Sequence, residues 1–364
     1  MIKRLLMTAD AVGGVWTYAL ELAQALAAHE IEVLLAVMGP APSPAQREAA
    51  LRLDNVELAH LPFALEWMDQ PWADVRSAGD WLLELESRWR PDVCHLNGYC
   101  HAGCAFAAPR LVVAHACVCS WWQAVHSEPA GAAWTKYRHR VRAGLAAADT
   151  VIAPTQWMLD ELQRQYGQLP RTAVIPNASN PHVYVQAERK EPFVFAAGRV
   201  WDEAKNLRAL DSAARDLAWP VMIAGAHHGV PPTSYAESQL LGELAPAEVA
   251  DWLARAGIYA LPARYEPFGL SVLEAALCGC ALVLGDIPSL RETWEDAALF
   301  VDPDDPARLH VVLAGLISKR PARVELAQRG RERALRYSPI KQAAAYAATY
   351  AALARPLGTT ACGS

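Results

Sequence analysis

The sequence predicts an α/β protein built from two tandem, doubly wound parallel-sheet domains that face each other across a cleft. Three observations lead there. Short apolar runs alternate with amphipathic or Ala-rich segments along almost the whole chain. The alternation restarts after a polar stretch near the middle. The chain, at 364 residues, is long enough to bury two separate cores.

In the first half the strand candidates are Ile2–Met7, Ile31–Val37, Val56–His60, Val93–Leu96, Leu111–His115, Thr150–Ala153 and Thr172–Ile175. Between them, Trp16–Ala28, Gly79–Trp89, Tyr137–Ala148 and Gln156–Tyr166 read as helices. Gln186–Glu191, polar and followed by Pro192, reads as a linker. It separates an N-terminal Rossmann-like domain, residues 1–186, from a C-terminal one, residues 187–338. In the second, Phe193–Ala197, Val221–Ala224, Ile258–Leu261, Ala281–Leu284 and Ala298–Val301 are the strands. Asn206–Leu217, Pro246–Ala256 and Leu270–Cys278 are among its helices. No strand follows Pro339–Leu353, so residues 339–364 read as a closing helix that crosses back to the N-terminal domain. Two such sheets offer a cleft between their carboxyl ends, the usual ligand site of doubly wound folds.

Composition narrows the function. Hydrophobic residues make up 53% of the chain and the mean hydropathy is +0.06, values of a folded domain rather than a disordered one. The net charge of −6, with both signs mixed along the chain, argues against a nucleic-acid binder, which needs a basic face for phosphates. No apolar run is long enough to span a bilayer, and Met1–Asp10 lacks the pattern of a signal peptide, so a cytoplasmic protein is expected. Eight cysteines in such a chain suggest small buried hydrophobes rather than a disulfide framework. The stretch from Cys94 to Cys104 is rich in Cys and His, but its spacings do not form a matched pair of C-x-x-C knuckles, and no zinc is expected there.

The most informative stretch is Arg264-Tyr265-Glu266-Pro267-Phe268-Gly269-Leu270-Ser271-Val272-Leu273-Glu274. Glu266 ends a strand-to-helix loop and a helix starts close to Gly269. The free N–H groups of Phe268, Gly269 and Leu270 then attract phosphate and sugar oxygens. Glu274 lies roughly 7.5 Å further along the helix axis, which suits one carboxylate gripping sugar hydroxyls and the other a ribose. Gly198-Arg199 closes the first strand of the second half, and Lys205-Asn206 opens the next helix; taken alone, Arg199 and Lys205 read as solvated loop charges, and beside Glu266 as a pair of cations for a ligand. Gly13-Gly14, after the first strand, lets backbone approach a ligand closely. It is not the dinucleotide fingerprint, since the third glycine and the later acidic residue are missing.

Taken together these residues resemble the retaining glycosyltransferases of family 4. Glu266 and Glu274 look like that family's E-x7-E motif. Arg199 and Lys205 resemble its diphosphate clamp, and Gly13-Gly14 its glycine pair facing the donor. His115, at the end of Leu111–His115, stands where the family often has a histidine touching the donor sugar. The sequence departs from the usual pattern at Pro262-Ala263 and Asn177-Ala178, neither of which removes a charged group. The resemblance implies a GT-B fold and transfer of a hexose from a nucleotide diphosphate sugar, UDP-hexose first and GDP-mannose second, with retention. Catalytic roles fall to His115, Arg199, Lys205 and Glu266. Donor binding falls to Gly13, Gly14, Gly198, Phe268, Gly269, Leu270 and Glu274. No cofactor and no metal is expected, and the acceptor is a saccharide, a lipid-linked species or a small molecule. Two rivals share the architecture: a nucleotide-sugar 2-epimerase and a non-catalytic, glycosyltransferase-like binding subunit.

Other features read more plainly. Asp302-Pro303-Asp304 fits a D-x-D metal pattern, but its prolines and aspartates suit a turn and a helix N-cap. Lys136–Arg142 reads as a solvated basic helix face, with peripheral membrane contact as the less favoured alternative. Trp121, Trp122 and His126 read as a loop suited to line an acceptor pocket, since aromatic faces stack on sugars. His95, His101 and the pair His227-His228 carry less weight.

Overall fold

In the first half of the computed structural model, seven parallel strands form one sheet. They are β1 Arg4–Asp10, β2 Glu32–Met38, β3 Val56–His60, β4 Val93–Leu96, β5 Arg110–Val113, β6 Thr150–Ala153 and β7 Thr172–Val174, ordered β3-β2-β1-β4-β5-β6-β7. Its helices are α1 Gly14–Leu26, α2 Pro44–Leu51, α3 Trp72–Trp89, α4 Val118–His126, α5 Thr135–Ala147 and α6 Gln156–Tyr166. The second half repeats the plan with six parallel strands: β8 Glu191–Ala197, β9 Val221–Ala224, β10 Gln239–Gly242, β11 Ala256–Leu261, β12 Ala281–Gly285 and β13 Leu299–Val301, ordered β10-β9-β8-β11-β12-β13. Helices α7 Leu207–Ala214, α8 Pro246–Arg255, α9 Leu270–Leu277, α10 Pro288–Trp294, α11 Pro306–Ser318 and α12 Arg320–Ala334 cover it, and α13 Pro339–Leu353 closes the chain. The structure describes residues 2–354 apart from 227, 228, 230, 232 and 233, so the His227-His228 pair lies outside it.

The strands read as continuous apolar runs because both faces of each sheet are covered. Along β1, Leu6 joins Leu34, Ala36 and Val112 in a core on one face, while Leu5 and Met7 join Val33, Leu35 and Val37 on the other. In both sheets the strand order reverses beside the first strand of that half, between β1 and β4 and between β8 and β11. Those switch points open crevices at the strands' carboxyl ends. The sequences that leave β1 and β8 there are the Gly13-Gly14 turn and the Gly198-Arg199 turn.

Helix α13 packs against the first sheet, where Tyr346 and Tyr350 are fully buried. The Tyr350 hydroxyl lies 2.6 Å from His95 Nδ1, and Gln342 Nε2 donates to the Pro176 carbonyl at 3.0 Å. His95 is therefore a core histidine with both ring nitrogens engaged, its Nε2 being 3.1 Å from Asn97 Oδ1. Burial pushes its pKa down to about 3. The polar stretch before β8 is tied down: Lys190 Nζ donates to the carbonyls of Leu253, Ala254 and Cys278 at 2.6–3.1 Å, covering the ends of α8 and α9.

Among the boundaries that differ from the sequence reading, two have a visible cause. Helix α3 starts at Trp72 rather than Gly79, because Gly79 is a close-packing residue and not a helix start: a Cβ there would sit 2.9 Å from Cys104 Sγ. Strand β5 stops at Val113, two residues before His115, and Ala114 N makes the last ladder bond to Ile152 O at 2.8 Å. Helices α2, α10 and α12 and strand β10 had no counterpart in the sequence reading, and Trp121, Trp122 and His126, read as a loop, lie in helix α4. Among the described residues no helix is long and apolar enough to cross a membrane.

Replacing Tyr350 with Phe leaves buried His95 Nδ1 without its donor. We expect a loss of about 1–3 kcal/mol, measured as a lower urea midpoint with the circular dichroism spectrum of the native state unchanged.

Candidate functional site

The two switch points meet across the cleft. Gly13 has φ +91° and ψ −148°, a conformation that L side chains avoid, and a Cβ there would sit 3.4 Å from Arg199 Nη1. A Cβ on Gly14 would sit 3.4 Å from Leu270 Cδ1. The first residues of α1 and α9 thus touch, and each helix has a glycine at its N-cap, Gly269 having φ +89°. In α9, Val272 and Leu273 donate to Gly269 O, while the amides of Leu270 and Ser271 are too early in the helix to find an acceptor within it. Two helix N-termini converging on one spot make a field that favours an anion.

Further along the same faces come carboxylates. Glu21 is seven residues past Gly14 and Glu274 four past Leu270, spacings that keep each on the face where the helices meet. Glu274 is buried. Burial pushes its pKa up to about 8, opposed by the Tyr184 hydroxyl and reinforced by Glu21. Burial likewise raises Glu21 to about 7 against hydrogen bonds from the Asn180 amide and the Ser179 hydroxyl, the latter 3.2 Å away. Glu21 Oε2 is buried without a partner. Asp10, at the end of β1, is raised by burial to about 6, despite the Val12 amide at 2.8 Å and the Arg199 cation.

The second half supplies the cations, each already paired. Arg199 Nη2 lies 2.6 Å from Asp202 Oδ2. Lys205 forms an ion pair with Glu266, both side chains being largely buried. Gly198 lies along the stem of Lys205, 3.5 Å from a would-be Cβ to Lys205 Cγ. The Phe268 ring is not in the cleft: it is buried edge-on against Tyr337 with centroids 5.5 Å apart, so only its backbone faces the helix entry.

His115 approaches from β5. Its Nε2 is 2.8 Å from Asn97 Oδ1, and Asn97 Nδ2 donates to Thr8 O at 2.7 Å, which fixes the amide orientation. That network puts the proton on Nε2 and leaves Nδ1 as an acceptor. Burial lowers the His115 pKa to about 3, so the ring is neutral, and its edge rests on Tyr18 at 4.4 Å between centroids. His115 is built to accept a hydrogen bond, not to donate a proton as an acid.

Polar contacts join the two halves. The Tyr265 hydroxyl accepts from Cys117 N at 3.0 Å, Thr155 Oγ1 donates to Pro267 O at 3.0 Å, and Glu292 caps α6 through the amides of Gln156 and Trp157. Trp121 Nε1 donates to Asp202 Oδ1 at 3.1 Å, so this indole serves the cation cluster rather than stacking in an open pocket. A cavity of about 450 Å³ between the end of α4 and the second half is lined by Val125, Ser127, Glu203, Arg264 and Asp304. Asp202, Asn97 and Glu21 are absent from the sequence reading of the site. Asp202 was signalled by its place midway between Arg199 and Lys205, whereas Asn97 and Glu21 carried no local mark.

Asp302 accepts from the Asp304 amide at 2.9 Å and Asp305 caps α11 through Arg308 N at 2.8 Å, the turn and N-cap geometry read from sequence. Among the described residues no group of three or more His, Cys, Asp or Glu is placed to hold a metal ion. In the basic run, Tyr137 and Val141 face the core, Lys136 lies 5.2 Å over the Trp72 ring and Arg138 donates to Ala130 O.

The sequence profile described as Glycosyltransferase Family 4 matches residues 12–182, beginning beside the Gly13-Gly14 turn, and that described as Glycosyl transferases group 1 matches residues 234–333, which include Glu266 to Glu274. The chain belongs to the family 4 glycosyltransferases. It is 28% identical over 242 residues to a D-inositol 3-phosphate glycosyltransferase of Xylanimonas cellulosilytica, a match covering 57% of this chain and 58% of that relative. The chain thus spans less than two thirds of that curated relative. Its fold superposes on sucrose-phosphate synthase from Thermosynechococcus elongatus with a TM-score of 0.80 at 17% identity, covering 96% and 99% of the two chains. Anabaena HepE in complex with UDP and glucose gives 0.76 at 15% identity, covering 97% and 100%. The fold of this family 4 glycosyltransferase is GT-B, as its sequence led one to expect.

Three carboxyls with raised pKa values lower stability as pH rises, against buried His95 and His115, whose lowered values act in the opposite sense. Each carboxyl binds its proton more tightly folded than unfolded, so their contribution falls as pH rises from about 4 to about 8. Glu274→Gln removes one of them. We expect the melting temperature of this variant, relative to the native protein, to rise steadily between pH 5 and pH 8 without ligand; a difference that stays constant with pH is the contrary result.

Proposed function

We propose that this protein moves a hexose from a nucleotide diphosphate sugar to an acceptor hydroxyl with retention of anomeric configuration and without a metal. The observation that carries the reading is the convergence of two helix N-termini with Arg199 and Lys205 at one point between the halves. That arrangement suits a diphosphate. As the glycosidic bond breaks, the departing nucleoside diphosphate gains negative charge, and fixed cations and helix ends stabilise it without reorganising.

In this reading Lys205 turns from Glu266 to the phosphate. Glu266 is then free to take sugar hydroxyls, and His115 Nδ1 accepts one more. Glu274 takes the ribose hydroxyls. The acceptor hydroxyl attacks from the face the diphosphate leaves, giving its proton to the departing phosphate oxygen, so an α-linked donor yields an α-linked product. UDP-hexose is the first choice of donor, in keeping with the UDP and glucose named in the HepE complex, and GDP-mannose the second. The acceptor is a saccharide, lipid-linked or small-molecule hydroxyl, and the 450 Å³ cavity beside Arg264 gives it polar surroundings.

Thermal shift with UDP, GDP, ADP and their sugar conjugates, with and without EDTA, tests the donor site. We expect a base-selective rise in melting temperature that survives EDTA and vanishes in Glu274→Ala. No shift with any nucleotide would move the non-catalytic subunit reading ahead, and donor conversion with no glycoside formed would favour the 2-epimerase. Once a donor is known, Lys205→Ala should lower kcat by about 100-fold or more and, because it leaves the buried Glu266 carboxylate unpaired, lower the melting temperature as well, and NMR of the product should show a retained anomeric centre.

Donor binding should also release a proton near pH 7, because ribose hydroxyls that donate to Glu274 favour its charged form. Calorimetry in buffers of different ionisation enthalpy reads this directly, and the release should be absent in Glu274→Gln.

A further inference from the structure

Asp202 stands between the two cations of the proposed donor site, three residues after Arg199 and three before Lys205. It is 5% exposed, and both of its oxygens are engaged. Oδ2 accepts from Arg199 Nη2 at 2.6 Å, while Oδ1 accepts from the Ala204 amide and from Trp121 Nε1, each at 3.1 Å. Burial works against its charge, but the Arg199 and Lys205 cations and the bonds from Arg199 and Trp121 outweigh it and hold the carboxyl below the usual range. A fixed negative charge beside a diphosphate is electrostatically adverse, so its presence calls for a compensating role.

The surroundings of Arg199 supply one. A guanidinium is a planar fork whose hydrogen bonds depend on orientation, unlike the point charge of an ammonium. Asp202 holds Nη2, the Trp201 ring lies 5.1 Å from the guanidinium carbon, and Nη1 is turned toward Gly13 across the cleft. Trp121 belongs to α4 of the first half, so its bond to Asp202 forms only where the halves meet. We infer that Asp202 is a positioning residue that aims the Arg199 guanidinium at the diphosphate, and that Trp121, reaching over from the other half, braces Asp202 in that role. The inference rests on the donor-site reading given above.

The competing account treats Asp202 as a cap for the short turn Glu203–Lys205 through the Ala204 amide. The two differ in sign. Asparagine keeps an oxygen for the Ala204 amide and the indole but removes the charge, so a mere cap predicts that Asp202→Asn binds nucleotide as tightly as the native protein, or more tightly. A positioning residue predicts weaker binding.

The test is calorimetric titration of the full chain with UDP, GDP and ADP, using the nucleotide that binds most tightly, for the native protein, Asp202→Asn, Arg199→Ala, Trp121→Phe and the doubles with Arg199→Ala. We expect Asp202→Asn to weaken binding about fivefold or more and Trp121→Phe about threefold, and neither to change affinity by more than about twofold once Arg199 is Ala, since a residue acting through another loses its effect with it. Undiminished affinity in Asp202→Asn, or an equal loss in the Arg199→Ala background, overturns the inference and leaves the donor site standing. If no nucleotide binds the native protein, or Arg199→Ala binds as well as native, the donor-site reading fails and the inference with it. Should Asp202→Asn not fold, Asp202→Glu serves the same cycle: it keeps the charge but displaces the fork, and weaker binding that depends on Arg199 is again expected.

Discussion

The contact between the first turns of α1 and α9 organises everything else in the cleft. Gly13 and Gly14 permit it: a Cβ at either would already touch Arg199 Nη1 or Leu270 Cδ1 at 3.4 Å, and Gly13 has a backbone conformation that L side chains avoid. Bringing two helix N-termini this close concentrates unpaired amides and partial positive charge on one side of the seam. The same approach drives Glu21 and Glu274, further along the touching faces, out of water. The raised pKa values of these carboxyls are thus a consequence of that close packing rather than a separate feature.

Charge is balanced before any ligand arrives. Unpaired buried charges cost several kcal/mol each, and both cations of the second half are matched, Arg199 by Asp202 and Lys205 by Glu266. The pairs differ in consequence. Lys205 and Glu266 have flexible side chains, so a ligand able to receive the ammonium also frees the carboxylate for hydroxyl groups. Asp202 sits on a tight turn, bonded to a backbone amide and to an indole from the other half, and keeps its guanidinium in place. In the proposed donor site one cation is then the exchangeable one and the other the fixed one, in keeping with separate roles in binding and orientation.

Much of this was legible in the chain. Alternating apolar and amphipathic segments gave both sheets, since parallel strands buried on two faces leave a continuous apolar signature. Glu266, Gly269 and Glu274 were visible because a strand–loop–helix junction places them at fixed spacing, and Gly13-Gly14 because glycine pairs mark backbone that must come close to something. Asp305 was readable as an N-cap, a role fixed by its nearest neighbours in sequence.

What lay outside reach was whatever depended on distant segments meeting. Gly79 looked like a helix start until Cys104 was seen against it, and His95 gave no hint of Tyr350, 255 residues away. The tautomer of His115 follows from Asn97, whose own orientation follows from Thr8. Local sequence determined which residues could carry charge, turn sharply or cap a helix, because those properties belong to a few neighbouring peptide units. Only the tertiary structure decided which of the charges are paired and which carboxyls keep their protons, because desolvation and Coulomb energy depend on what the rest of the chain brings within a few ångströms.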